Sequence, residues 1–265
     1  MSSNSIHARL VAAKQAARNA GKVLLNFSHQ RGELNVVRKG TNDFVSNADK
    51  AAETVILDLL QARFRNDGFI AEESGLSGNP NAEFQWCIDP LDGTSNFLHG
   101  AQNWCVSIGL LQNGQPVMGV IFDPTRNELF EGVVGMGARL NSAPLAVSSV
   151  EDPGSATIGL GHVPRVPIET FCLDTARILK AGFAFRQIGA GALMLAYVAA
   201  GRVDVYFERH MWPWDAVAGL ALIRAAGGEY LPYSNAKPGD GALVLAGGSE
   251  LLRRTSRLLN GLLES

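Results

Sequence analysis

"WCIDPLDGTSNF", Trp86 to Phe97, places two aspartates three positions apart around a proline, at the end of an apolar run and just before a Gly-Thr step. A residue that precedes proline is steered away from the helical region, so Asp89 is expected to end a strand built on "QWCI". Pro90, with φ already fixed, would open a turn that returns Asp92 to its side. Two carboxylates brought together repel, and either one pKa rises or a divalent cation resolves the conflict. Taken alone, the five residues "DPLDG" also read as a polar loop of turn formers.

Three more acids bear on that choice. "FIAEES" leaves Glu72 and Glu73 at the end of another apolar strand, where turn residues are usual. "WPWDAVAG" puts Asp215 at a helix start, where by itself an N-cap is the plainer reading. Asp49, three residues after Ser46, fits a capping box or a first-turn acid favoured by the helix dipole. An oxygen-only ligand set without His or Cys selects a hard cation, and Mg²⁺ in particular binds through a few carboxylates while keeping water and phosphate oxygens. Gly93 allows close backbone approach, and "TSNF" reads as a helix start whose free N–H groups face an anion. Carboxylates for a metal beside amides for a phosphate point to hydrolysis of a phosphate ester.

Around this centre the chain divides into two patterns. Ile6, Leu10, Ala13, Ala17, Ala20 and Leu24 share one face of a helix over about 4–27, and a second helix runs from the Ser46 cap to "RNDG". Short strands follow in "FIAEE", "FQWCI" and "WCVSIGLL", and the Asn-Gly of "QNGQ" turns the chain into "PVMGVIFDP" and "NELFEGVV". The first half is therefore expected to hold two helices and an antiparallel sheet. From about 154 onward, strand and helix patterns alternate, which favours a layered α/β half. The softest boundary, "PLAVSSVEDP", divides the chain into 1–150, with the metal and phosphate motifs, and 151–265, with the substrate-binding stretch and the last metal ligand.

The bulk properties exclude other classes. At 265 residues, 46% hydrophobic and 18% charged, the chain can bury a large core, and its net charge of -2 with dispersed Lys and Arg offers no surface for nucleic acid or anionic membrane. The N-terminus lacks the pattern of a secretory signal and no apolar run approaches a membrane span, so a cytoplasmic location is expected. Three cysteines without a C-x-x-C pair, Cys87, Cys105 and Cys172, are expected to be buried thiols.

"GTNDFVSNADKAAE", "AEES", "WCIDPLDGTSNF", "DPTRNELF", "YVAAGRVDVYFE" and "WPWDAVAG" together resemble the inositol monophosphatase family, in that family's order, from about Lys39 to Gly248. The resemblance implies a five-layered α-β-α-β-α sandwich, an α+β or α/β fold, usually dimeric, with Mg²⁺-dependent, lithium-sensitive phosphatase activity. It implies that Glu72, Asp89 and the Leu91 carbonyl hold a first Mg²⁺, that Asp89, Asp92 and Asp215 hold a second, and that Glu72 helps a weaker third. Thr94, polarised by Asp49, would position the attacking water with Glu72, while the Gly93 and Thr94 amides hold the phosphate. Glu208 would contact substrate hydroxyls, Glu73 would support from behind, and Gly191 lies in the segment that touches the substrate ring. The expected substrate is myo-inositol 1-phosphate or a similar polyol phosphate. Histidinol phosphate comes next, because a carboxylate at Glu208 accepts equally from an ammonium, and fructose 1,6-bisphosphate and nucleotide 3'-phosphates are hydrolysed on the same fold. His210, Arg209 and Trp212 make the stretch beside Glu208 bulkier and more basic than the family's usual one, and His99 follows the phosphate loop. An expectation of another class is a binding scaffold that works through a protein partner.

Overall fold

The computed structural model describes residues 3–30, 34–40, 43–233 and 240–259. Thr41 and Asn42, part of the first family-like motif, lie outside them. The chain opens with α1 (Ser3–His29), whose Ala12, Ala13, Ala16, Ala17, Ala20 and Leu24 are fully buried. Small side chains on that face let the helix approach its neighbours closely, and alanine favours the helix itself. A short antiparallel pair, β1 (Val37–Gly40) and β2 (Asp43–Val45), leads into α2 (Asn47–Arg63). The predicted capping box is present: the Ser46 hydroxyl accepts from the Ala48 amide at 3.2 Å, and Asp49 Oδ2 accepts from the Ser46 amide at 2.8 Å.

The large sheet is built from β3 (Gly68–Ala71), β4 (Gly75–Gly78), β5 (Phe84–Asp92), β6 (Cys105–Gln112), β7 (Gln115–Asp123), β8 (Glu128–Val133), β9 (Gly137–Leu140) and β10 (Ala143–Leu145). Its order is β10-β9-β8-β7-β6-β5-β3-β4. It is antiparallel with one exception, since β3 pairs with β5 in parallel. This corrects the wholly antiparallel expectation and puts the C-terminal ends of β3 and β5, with their acids, side by side at one end of the sheet. A short helix, α3 (Thr94–His99), follows β5 directly. The Asn113-Gly114 turn between β6 and β7 takes positive φ at both residues (50° and 78°), as the Asn-Gly signal requires.

The second sheet joins β11 (Thr157–Leu160), β12 (Ala184–Arg186), β13 (Val205–Met211), β14 (Glu229–Tyr230) and β15 (Ala242–Gly247) in the order β12-β11-β13-β15-β14. Its first three strands are parallel, while β15 runs antiparallel to both β13 and β14. The helices α4 (Ile168–Lys180), α5 (Gly191–Ala199), α6 (Pro213–Ala225) and α7 (Ser249–Leu258) also belong to this half of the described residues.

Alternation along the strands shows how the layers stack. Trp86, Ile88, Val106, Ile108, Leu110, Val120 and Phe122 point from the large sheet into a core shared with α1 and α2. Cys105 and Ile121 face the other way, into a core with α5, α6, Tyr206, Val244 and Ala246. Val205, Phe207 and Leu245, one residue out of step, face a third core with Ile178 of α4 and Leu251 and Leu252 of α7. The result is a five-layered α-β-α-β-α sandwich with α5 and α6 enclosed between the sheets.

Two glycines determine how deeply α6 sits. Gly109 and Gly119 are direct partners across β6 and β7, and a Cβ on either would collide with the α6 backbone, at 2.7 Å from the Ala218 amide nitrogen and 2.0 Å from the Ala218 carbonyl oxygen. The Ser107 hydroxyl donates to the Trp214 carbonyl at 3.0 Å and fastens the first turn of the same helix. Among the cysteines, Cys87 and Cys105 are buried as expected, whereas Cys172 is exposed on the outer face of α4. Among the described residues, no helix is long and apolar enough to cross a membrane.

Candidate active site

The first finding at the site corrects the expected turn. β5 does not end at Asp89 but continues through Pro90 and Leu91 to Asp92, and its pairing with β6 shifts between Asp89↔Ser107 and Asp92↔Cys105. Three steps on β5 face two on β6, so one residue is surplus and the strand carries a bulge, a place where a proline without an N–H is tolerated. The side chains of residues three apart on a regular strand point to opposite faces. The surplus residue instead sends both Asp89 and Asp92 toward α5 and α6, while Leu91 enters the core beneath α1 and α2.

Glu72 follows the last residue of β3, with its amide donating to the Ile88 carbonyl at 3.1 Å. The next two amides, of Glu73 and Ser74, donate to the two carboxylate oxygens of buried Glu53, each at 2.9 Å. Glu53 was missed in the sequence, although it lies four residues after Asp49 on the same helix face. Asp215 occupies the first turn of α6, but Trp212 is the cap residue and Pro213 the first helical residue, so the N-cap reading of Asp215 does not hold. Its carboxyl hydrogen-bonds Asp89.

These acids share one electrostatic field. The Asp89 carboxyl is pushed well above the usual range, first by burial and then by the charges of Glu72, Asp215 and Asp92. Asp215 is raised in the same way, by burial and then by Asp92 and Glu72. Burial also lifts Asp92, to about 6, although it accepts from the Leu193 and Gly191 amides, each at 3.1 Å, and from the Cys105 thiol. The charges that act most strongly on Asp89 and Asp215 are all acidic. Among the described residues, no three such side chains converge on one point as metal ligands do. The donor set is nevertheless oxygen-only and rich in negative charge, with Asp89 and Asp92 buried and Glu72 and Asp215 partly so, which fits a hard divalent cation.

Beside the acids stands the phosphate turn. Gly93 caps α3 with φ +90°, and a Cβ there would lie 2.7 Å from the Asn103 carbonyl oxygen, so glycine answers both the backbone and the space. The Thr94 hydroxyl lies 3.2 Å from Asp49 Oδ1 and 3.0 Å from the Leu91 carbonyl oxygen. Asp49 thus does both things considered for it: Oδ2 closes the capping box and Oδ1 faces Thr94. Burial raises its carboxyl.

A cavity of about 190 Å³ opens next to the turn, lined by Asp92, Asp215, Glu208, Tyr206, Gly191 and Met211 among others. Asp49, Glu72, Asp89 and Thr94 do not line it. Glu208 is buried on β13 and accepts from the Tyr206 hydroxyl at 2.5 Å, yet burial and the Asp92 charge lift its carboxyl from 4.5 to about 7. Tyr206, two residues earlier on the same strand face, is a second wall residue, marked in the sequence only by its strand spacing from Glu208. His210 does not line the cavity; it packs edge-on against Trp212 at 4.8 Å, and Trp212 stacks on Trp214. Arg209 pairs with Asp174, and exposed His99 lies 2.8 Å from the Ser95 carbonyl oxygen.

Comparison with known proteins agrees with this architecture. The chain is 42% identical over 226 residues to Nus factor SuhB of Xylella fastidiosa, covering 84% of this chain and 81% of that protein. It is 39% identical over 225 residues to Nus factor SuhB of Escherichia coli K12, covering 84% of each. Among solved structures, extragenic suppressor protein suhB from Bartonella henselae superimposes with a TM-score of 0.88 at 33% identity, over 96% of this chain and 98% of the other. Inositol monophosphatase from Anabaena (Nostoc) sp. PCC 7120 gives 0.84 at 36% identity, over 96% of both chains. The sequence model of the inositol monophosphatase family matches residues 6–263, and the chain belongs to that family.

Proposed function

We propose that the protein is a Mg²⁺-dependent phosphatase of small phosphate monoesters, with myo-inositol 1-phosphate as the preferred substrate and histidinol phosphate as the main competitor. The observation that carries this reading is the shared field of Glu72, Asp89, Asp92 and Asp215 beside the Thr94–Asp49 pair, with Asp92 and Asp215 joining Glu208 in the wall of a cavity. Glu72, Asp89, Asp92, Asp215 and the Leu91 carbonyl would hold two or three Mg²⁺ ions. When bound, Mg²⁺ supplies Lewis acidity and the positive charge that balances the acids and the phosphoryl oxygens. Thr94 Oγ1 and Glu72 orient the attacking water, and a proton leaving Thr94 Oγ1 has Asp49 Oδ1 as its acceptor. The Gly93 and Thr94 amides hold the phosphoryl group through α3's first turn, where helix geometry leaves donors free. Glu208, braced by the Tyr206 hydroxyl, receives the alcohol part of the ester, and Gly191 leaves room for it. We also propose that the protein is a cytoplasmic homodimer.

The test is phosphate release from both esters with purified protein and Mg²⁺. Turnover that is fastest on inositol 1-phosphate and lost in chelator supports the reading. Preference for histidinol phosphate overturns the substrate, and no release from any monoester overturns the phosphatase. A second reading, a scaffold acting through a protein partner, is favoured by the name Nus factor that the bacterial relatives carry. A strain whose only copy is Asp92→Asn separates the two: a normal phenotype without activity favours the scaffold.

A further inference from the structure

Asn96, in the middle of α3, belongs to neither the acid cluster nor the cavity wall, yet it joins the two. Its side-chain Nδ2 donates both hydrogens to backbone carbonyls, of Asn103 at 2.7 Å and of Ile188 at 2.7 Å. Ile188 belongs to the segment 187–191 that lines the cavity, where a Cβ on Gly191 would lie 3.7 Å from Glu208 Oε2. Gly189, at φ +72°, lies so close that an added Cβ would come within 3.2 Å of Asn96 Nδ2. Two further contacts run between the same pieces. A Cβ built on Gly93 would lie 3.1 Å from that of Ala190, and Asp92 accepts from the Gly191 and Leu193 amides. Of these three ties, Asn96 is the one made by a side chain with no proposed part in metal, phosphate or substrate binding.

We infer that Asn96 is a positioning residue that fixes the 188–191 wall at a set distance from the phosphate turn, and so sets how the alcohol part of the ester is received. The inference rests on the phosphatase reading. An ester held at its phosphoryl group by Gly93 and Thr94 and at its alcohol by the cavity spans both pieces at once, and a wall displaced by about 1 Å loses alignment at the far end first. An ester that engages only the phosphate turn does not sense the wall.

The test compares wild type with Asn96→Ala and with Asn96→Ser, which keeps one short donor, on myo-inositol 1-phosphate and on p-nitrophenyl phosphate. For Asn96→Ala, KM for the inositol ester should rise about tenfold with kcat within about threefold, while kcat/KM for p-nitrophenyl phosphate stays within about threefold. Asn96→Ser should fall between, and it carries the comparison alone if the alanine variant does not fold. Equal losses on both esters, or no loss on either, overturn the inference. Hydrogen exchange of peptides covering 187–193 should speed about tenfold in the variants without change in α6, and this readout needs no turnover. If the wild type releases no phosphate, the phosphatase reading falls, and unaltered exchange at 187–193 sinks the clamp independently.

Discussion

Glu208→Gln should stabilise the metal-free protein at neutral pH and remove part of its pH dependence. The carboxyl is buried, next to the Asp92 charge, with one hydrogen bond from Tyr206, and its pKa rises from 4.5 to about 7. Below pH 4.5, folded and unfolded chains both carry the proton, and the group costs nothing. Between 4.5 and 7 the unfolded chain releases the proton while the folded chain retains it, so stability falls by about 1.4 kcal/mol for each pH unit. The loss accumulates to about 3 kcal/mol near pH 7 and then levels off. Glutamine keeps an oxygen that accepts from Tyr206 and has no proton to release. Urea unfolding in chelator from pH 4.5 to 8 should therefore show the two proteins diverging by about 3 kcal/mol, with the variant the more stable at the upper end. A difference that stays constant across this range would refute the burial and charge argument.

Other outcomes follow from the same geometry. Asp89→Asn should reduce kcat by about three orders of magnitude or more in saturating Mg²⁺ while raising the melting temperature of the metal-free protein, because a repelled buried carboxyl is removed; near-normal turnover would exclude Asp89 from the ligand set. Millimolar Mg²⁺ should raise the wild-type melting temperature and do so less in Asp92→Asn, and a calorimetric scan without a Mg²⁺ shift would oppose the metal site. Gly119→Ala should cost about 3 kcal/mol or more in denaturant unfolding, because a methyl group there meets the Ala218 carbonyl oxygen; a variant as stable as wild type would mean that α6 can lift without cost.

What could be read from the sequence was whatever is decided locally. The Ser46–Asp49 box, the Asn113-Gly114 turn and the apolar faces of α1 and α2 each depend on side chains within a few residues of one another, and each stands where expected. The local preference of Asp89-Pro90 for a turn is overridden by pairing to β6, whose residues lie more than a dozen positions away. The parallel pairing of β3 with β5 likewise depends on packing that no short window contains. Glu53 and Tyr206 had usable signals, one helical turn from Asp49 and one strand repeat from Glu208, but each looks ordinary until its partner is in place. Gly109 and Gly119 had no signal at all, since only the pairing of β6 with β7 shows that they make a single recess.

The surplus residue in β5 has an evolutionary reading as well. Matching it with one extra residue in β6, between Cys105 and Ser107, would give a flawless ladder, and by the measure of backbone pairing the sheet would improve. Asp89 and Asp92 would then stand three apart on a regular strand and face opposite ways, with Asp92 turned into the apolar core beneath α1 and α2 and its amide partners on α5 left without an acceptor. A one-residue insertion between Cys105 and Ser107 is thus a change that tidies the scaffold while dismantling the site, and such insertions should be absent among relatives that keep the activity, even where neighbouring loops vary freely in length.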